Sequence, residues 1–248
     1  MEPNITTTTR ANLTSSVPRP PRDSRAFWRI LLAVIAPLPM LAKGMQYLLN
    51  PVDGDAGFRE TVAAYAAHRQ LLGVLTWLDA AFVVGLIPAT VAVAWVARRG
   101  APRLSTVGAA IALPGFFAGI ALLGGVETPA VVAVQHGVDV NAMAQLSDAL
   151  ENEPLLLVAS LLFIVGVVIG LGVLGIAMWR SRAVSAWMGM ALAVGGFTHP
   201  FLPGHVAQGI GLLVAAAGFA GASIALLRMR NDEFDLPPVR PAGTAPEG

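Results

Sequence analysis

The chain has 248 residues, of which 55% are hydrophobic and only 12% are charged, and its mean hydropathy is +0.67. Soluble domains carry about 25% charged residues, so lipid is the simplest solvent for this much apolar surface. The formal net charge of +1 gives no indication of a nucleic-acid partner, and the absence of cysteine excludes disulfides, thiolate catalysis and cysteine-ligated metals. We therefore predict a membrane protein in contact with the lipid bilayer.

Six apolar segments are long enough to be transmembrane helices, and two polar tails flank them. Residues 1–27 and 229–248 are polar and proline-containing, and both are predicted to be disordered. A span needs about 20 apolar residues. The six spans are predicted at 28–49, 71–97, 105–125, 154–179, 184–201 and 206–227. The predicted fold is all-α, a transmembrane helical bundle whose single domain covers residues 28–228.

Basic residues are distributed unevenly among the predicted tails and connections. The tails, the second connection and the fourth connection together hold thirteen of the sixteen: Arg10, Arg19, Arg22, Arg25, Arg29, Arg98, Arg99, Arg103, Arg180, Arg182, Arg228, Arg230 and Arg240. The third connection, 126–153, has five acidic residues and no basic residue. By the positive-inside rule, six spans with the N- and C-termini both cytoplasmic satisfy this distribution.

Lys43 is the only lysine of the chain, and it lies inside the first predicted span. A charge in the middle of a span costs about 2.5–3.5 kcal/mol, so it needs a partner, water or a route to the interface. Asp79 is the one acidic residue well inside a predicted span, and a rise of 1.5 Å per residue puts it at a similar depth on the next helix. We predict an intramembrane ion pair between Lys43 and Asp79. It acts as a helix lock or as part of a functional site, unless Lys43 extends to the interface instead.

A polar face is predicted to lead from the outer side of the membrane to Asp79. We expect the second helix to begin outside the membrane, near Phe58, because the stretch FRETVAAYAAHRQLLGVL contains no proline. Spacings of three and four residues then align polar side chains on one helix face above Asp79. The candidate outer pocket comprises Gln46, Tyr65, His68, Thr76, Glu127, His199 and His205.

All four histidines are predicted to lie on the outer side of the membrane. His68, His199 or His205 together with Asp79 or Glu127 would suit a metal or a proton, because histidine binds metals and titrates near neutral pH. The spacing matches no metal-binding motif, and an interfacial position for the histidines is the alternative. The sequence predicts no metal and no cofactor.

Small residues recur at a spacing of four in two of the predicted spans. Gly115 and Gly119 have this spacing in the third span, and Gly166 and Gly170 have it in the fourth. Such patterns allow helix backbones to approach closely. We predict that these glycines pack helices, either within the chain or against a second copy or another membrane protein.

The acidic connection 126–153 contains a second pattern of helical periodicity. AMAQLSDAL places Ala142, Leu146 and Leu150 on one face of a short amphipathic helix. This helix either covers the bundle as a lid or lies at the lipid interface.

Two hairpins of the chain share a pattern: a long glycine-containing span, a turn of the form WVARR or WRSR, and a further span that contains VGA or WMG. On these motifs, at 95–99, 179–182, 107–109 and 187–189, the region 28–228 resembles a group of small bacterial, actinobacterial-type polytopic membrane proteins with no assigned activity. The Arg-rich, lysine-poor composition is similar to that of high-GC bacteria. The resemblance implies a multi-pass protein of the bacterial plasma (inner) membrane and assigns no functional residue.

Three functional hypotheses follow from the sequence. The first is a membrane protein that binds or moves a small solute or a proton through the outer pocket. The second is an integral membrane enzyme for a lipid or an isoprenoid, with Asp79 or Glu127 as the acid. The third is a structural or accessory subunit whose glycine faces bind partner helices. The nucleophile-elbow, phosphate-loop, dinucleotide and kinase motifs are all absent, so no enzyme class is indicated.

Overall fold

The computed structural model describes residues 23–52, 56–124 and 128–235, and these ranges contain helices and connecting segments but no β-strand. The α-helices of these ranges are α1 Arg25–Ile35, α2 Leu38–Leu49, α3 Phe58–Ala67, α4 Arg69–Ala97, α5 Pro102–Ala121, α6 Thr128–His136, α7 Val140–Glu151, α8 Pro154–Val165, α9 Leu171–Ser181, α10 Ala186–Phe201, α11 His205–Arg228 and α12 Asn231–Phe234. A 3-10 turn, Leu122–Gly124, follows α5, and a π-helical turn, Gly166–Gly170, joins α8 to α9. The predicted all-α helical bundle is confirmed.

Five helical segments are long and apolar enough to cross a membrane, which identifies a membrane protein in contact with lipid. They are Arg25–Leu49, Arg69–Ala97, Pro102–Ala121, Pro154–Ser181 and His205–Arg228. They correspond to five of the six predicted spans.

The remaining predicted span is the shortest of the six helices. It corresponds to α10, whose 16 residues measure about 24 Å against a hydrocarbon core of about 30 Å. The count of six spans therefore stays a prediction. Although it is short, α10 packs extensively against α9 and α11, so it is an integral part of the bundle.

Two predicted helices are interrupted in the structure. The first span is divided between α1 and α2 at Pro37, because Pro37 and Pro39 have no backbone N–H to donate. The expected continuous helix from Phe58 into the second span is wrong. The chain leaves helical geometry at His68 (φ −121°, ψ 40°), and this separates α3 from α4.

One end of the bundle is held by contacts of α1 and α4 with the last described residues. At this end, Arg25 Nε lies 2.8 Å from Asp235 Oδ2, so the start of α1 and the last described residue are neighbours. Trp95 Nε1 donates a hydrogen bond to the backbone oxygen of Phe234 at 2.9 Å, and Phe234 is buried. Burial lowers the pKa of the Arg98 guanidinium at this end, and the nearby Asp235 carboxylate partly opposes this effect. Helix α12 thus lies within the predicted C-terminal tail, while residues 1–22 and 236–248 lie outside the described ranges.

The predicted glycine contacts join helices of the same chain. A Cβ atom added to Gly115 would lie 2.5 Å from the backbone oxygen of Leu162 and 2.9 Å from the Cα of Gly166. A Cβ atom added to Gly170 would lie 2.7 Å from the Cα of Ala112. Helix α5 therefore packs backbone to backbone against α8 and the π-helical turn, where no side chain larger than hydrogen fits. Gly119, further along the same face, faces the ring of Phe163.

Candidate functional site

The charged side chains of α2 and α4 are in direct contact inside the bundle. Lys43 Nζ donates a hydrogen bond to Asp79 Oδ1 at 2.6 Å. The Lys43 side chain is 11% exposed and that of Asp79 is 28% exposed. Lys43 Nζ also lies 5.1 Å from the ring centroid of Tyr47 and 5.4 Å from that of Phe82, within the range of cation–π attraction. Lys43 is thus held on several sides, whereas part of the Asp79 carboxylate stays accessible.

A cavity of about 610 Å³ adjoins this ion pair. It lies between α2, α4, α5 and α8 and extends beneath α3, α6 and α7, and its volume is typical of a small-molecule site. Most of its walls are Leu, Val, Phe and Ala side chains. Its polar lining residues are Lys43, Gln46, Tyr65, Thr76, Asp79, Thr128, Gln135, Glu151 and Ser160.

Two phenylalanine rings, of Phe82 and Phe163, line one end of the cavity, and the Phe116 ring packs behind them. The Phe82 and Phe163 rings meet edge to face with their centroids 6.2 Å apart, and Phe116 lies 6.0 Å from Phe163. Phe116 is fully buried in the main core. The cavity therefore ends at an aromatic floor that joins α4, α5 and α8.

The connection between α5 and α8 covers the end of the cavity opposite these rings. Two arginines fasten this cover: Arg59 donates to Asn141 Oδ1 at 2.7 Å, and Arg69 donates to the backbone oxygen of Val134 at 2.6 Å. Asp139 caps α7 by accepting a hydrogen bond from the backbone N–H of Ala142 at 2.8 Å. Helices α3, α6 and α7 thus form a layer over the cavity.

The short helix predicted within this connection exists as α7, but a different face packs inward. Ser147 is its buried residue, while Ala142 and Leu146 are exposed. Leu150 and Glu151 line the cavity, so the end of α7 belongs to the cover. The apolar periodicity predicted the helix and did not predict which face it buries, because polar Ser147 lies against the protein.

Of the predicted pocket residues, the structure brings Gln46, Tyr65 and Thr76 to the cavity beside the ion pair. Gln46 is 4% exposed, and its Oε1 atom has no hydrogen-bond partner among the described residues. Thr76 Oγ1 donates to the backbone oxygen of Leu72. The unsatisfied amide oxygen of Gln46 is the polar atom of this site that most needs a partner.

The histidines do not form part of the cavity where their side chains are described. His68 is exposed and lies outside the lining of this cavity, and its Nδ1 is 2.9 Å from the backbone oxygen of Ala64. His205 also lies outside the cavity lining; its Nδ1 is 2.6 Å from the backbone oxygen of Val52, and its ring centroid lies 5.0 Å from that of Tyr47. Glu127 and the side chain of His199 lie outside the described residues. Within the described ranges, no three His, Asp or Glu side chains are grouped as a metal site would need.

Four polar cavity residues were missed by the sequence analysis: Thr128, Gln135, Glu151 and Ser160. Thr128 and Gln135 lie on α6, a helix that the sequence analysis did not predict. Ser160 is the one polar residue in the α8 stretch PLLLVASLLFIV, and that isolated hydroxyl was a usable signal.

The fold and the cavity together define a helical membrane protein with a largely apolar cavity of ligand size that contains an ion pair. No protein-family model, curated protein or solved structure matches this chain. Its function is therefore inferred from the chemistry of the cavity itself.

Proposed function

We propose that this multi-pass membrane protein binds a small molecule in the cavity beside Lys43 and Asp79. One observation carries the proposal: a cavity of about 610 Å³ adjoins an ion pair between two helices that are apolar enough to span a membrane. An ion pair that only locked two helices would need good mutual geometry and further hydrogen bonds, and it would not need a cavity beside it. Asp79 instead keeps 28% of its side chain exposed at the cavity.

The proposal includes a location in the bacterial inner membrane, with six spans and both termini in the cytoplasm. The contact between Arg25 and Asp235 supports placing both ends of the chain on one side. The approach of Gly100 to Ser181 supports placing the two arginine-rich turns there as well. The cavity and its acidic cover would then face the outer side, in agreement with the positive-inside rule.

Binding is better supported than conduction through the bundle. The edge-to-face contact of Phe82 and Phe163 closes the cavity toward the opposite end, where Phe116 and its neighbours are fully buried. A solute or proton could cross only if these rings moved apart. The cavity is therefore a binding chamber and not a continuous path through the bundle.

The structural-subunit hypothesis is less well supported. Gly115 and Gly166 already pack against each other, and Gly170 packs against Ala112. These small-residue faces are therefore used within the chain and are not free to bind helices of another protein.

The proposal is tested by identifying small molecules that copurify with the protein. We compare organic extracts of the wild type, Ala80→Phe and Ala81→Phe by mass spectrometry. Ala80 lines the cavity, whereas its neighbour Ala81 on α4 is exposed outside the cavity lining, so the two variants add the same bulk to different sites. We expect a bound compound in the wild type and in Ala81→Phe, and its loss from Ala80→Phe. Identical extracts from all three proteins would overturn the proposal.

A further inference from the structure

The charges that line the cavity indicate the charge of its ligand. Within the described ranges the charged lining residues are Lys43, Asp79 and Glu151, and one positive and two negative side chains leave a formal charge of −1. Lys43 is already paired with Asp79 at 2.6 Å, whereas no basic side chain of the described residues forms an ion pair with Glu151. Glu151 therefore carries the negative charge that a ligand can balance.

The ion pair itself presents more of its carboxylate than of its ammonium. The Asp79 side chain is 28% exposed, against 11% for that of Lys43. Lys43 Nζ is further shielded by the nearby rings of Tyr47 and Phe82. An anionic ligand would have to compete with Asp79 for Lys43 and would meet the like charge of the accessible carboxylate. The ion pair thus disfavours an anion.

The cover over the cavity is also acidic. Residues 56–70 and 128–153, which contain α3, α6 and α7, hold two arginines and five acidic residues, a formal charge of −3. The acidic residues are Glu60, Asp139, Asp148, Glu151 and Glu153. Both arginines, Arg59 and Arg69, are engaged in hydrogen bonds that fasten the cover. A surface with an excess of one charge raises the local concentration of the opposite ion, so the cover attracts cations to the cavity.

The walls of the cavity favour a cation with an apolar body. The lining is mostly aliphatic and aromatic, and its large side chains include Leu72, Leu75, Phe82, Leu156, Leu157 and Phe163. A bare metal ion requires several oxygen or nitrogen ligands, and no three His, Asp or Glu side chains of the described residues are grouped to supply them. An organic ammonium instead buries its carbon groups against such walls and is attracted to aromatic faces.

We propose that the ligand is an organic cation, an amine or quaternary ammonium with an apolar body. Its charged head pairs with Glu151 at the cover, and its apolar body lies against the walls formed by α4 and α8, towards Phe82 and Phe163. This inference rests on the proposed function, which requires only that some small molecule binds, and it adds the charge and the chemical class of that molecule.

Equilibrium dialysis of the protein in nanodiscs tests the charge of the ligand, with empty nanodiscs to correct for uptake by lipid. The probe is benzyltrimethylammonium, and the matched probes are its neutral isostere neopentylbenzene and the anion phenylacetate. Glu151→Gln removes the charge that lines the cavity, whereas Glu153→Gln removes an exposed charge of the same connection outside the lining. We expect Glu151→Gln to weaken binding of the cation about fivefold and to leave neopentylbenzene unaffected.

Glu153→Gln is expected to leave binding of all three probes unchanged, and phenylacetate is expected to show no saturable binding. An equal loss of cation binding in both variants would overturn the role of Glu151. Saturable binding of phenylacetate, or no saturable binding of benzyltrimethylammonium by the wild type, would overturn the organic cation.

The copurified compound separates this inference from the proposed function. We expect the compound that is lost from Ala80→Phe to carry a positive charge and to be less abundant in Glu151→Gln than in Glu153→Gln. A neutral or anionic compound that is lost from Ala80→Phe and retained by Ala81→Phe would overturn the organic cation and leave the proposed function standing. Identical extracts from the wild type and both phenylalanine variants would overturn both.

Discussion

Gln46 and Thr90 each bury a polar side-chain oxygen that has no hydrogen-bond partner among the described residues. Thr90 is fully buried in the main core, whereas Gln46 lines the cavity. An unsatisfied buried polar group lowers the free energy of unfolding by about 1–3 kcal/mol. This loss is easier to explain at a binding site, where a ligand can supply the missing partner, than in the core. The two residues therefore provide a matched comparison of function and stability.

We expect both Gln46→Met and Thr90→Val to raise the unfolding free energy of the ligand-free protein by about 1–2 kcal/mol. Each substitution removes an unsatisfied oxygen with little change in side-chain shape. Thermal unfolding of the purified variants in nanodiscs measures this. Only Gln46→Met is expected to lose the copurified compound. Loss of that compound from Thr90→Val as well would show that its binding follows global packing rather than the cavity.

The residues of the site differed in how readily the sequence predicted them. Lys43 and Asp79 could be paired because charges inside apolar segments are few and their depths follow from helix rise. The position of His68 was predicted from a continuous helix, whereas His68 is itself the non-helical residue between α3 and α4. Ser160 and Glu151 come from helices distant in sequence, and no local spacing relates them to Lys43.

At the scale of elements, the contact of α5 with α8 and the π-helical turn depends on glycines. We expect Gly115→Ala to destabilise the protein by about 1–3 kcal/mol, since its Cβ would lie 2.5 Å from the backbone oxygen of Leu162. Gly172→Ala is the matched control, because nothing lies within 4 Å of its added Cβ. Alanine there is expected to be neutral or stabilising, by up to about 1 kcal/mol. Equal thermal stabilities of the two variants would contradict this account of the interface.

Helix boundaries could be predicted from the sequence where a proline restricts the backbone. Prolines explain the break at Pro37 and the beginnings of α5 at Pro102 and α8 at Pro154. The break at His68 and the helix Thr128–His136 had no such signal. They depend on tertiary packing, as in the small cluster that joins Tyr65 and Leu72 to Val134, and a local pattern carries no information about it.

At the scale of the whole molecule, the topology can be tested directly because the chain has no cysteine. Ser185 and Pro203 are exposed residues at opposite ends of α10. We expect a membrane-impermeant maleimide to label Pro203→Cys in intact cells and Ser185→Cys only after permeabilisation. Labelling of both from the same side would show that α10 does not cross the membrane.

The central claim is that the ion pair borders a binding site and is more than a helix lock. The most direct test is a double-mutant cycle with Lys43→Met, Asp79→Asn and both changes together, in which unfolding free energy and the amount of copurified compound are measured on the same samples. Removing one partner leaves the other charge unpaired, so each single change is expected to cost about 3 kcal/mol, and the double variant should recover much of this loss. We predict that the recovered double variant has lost the bound compound. A double variant that is stable and retains the compound at the wild-type level would contradict the account, because the pair would then serve only to join α2 to α4.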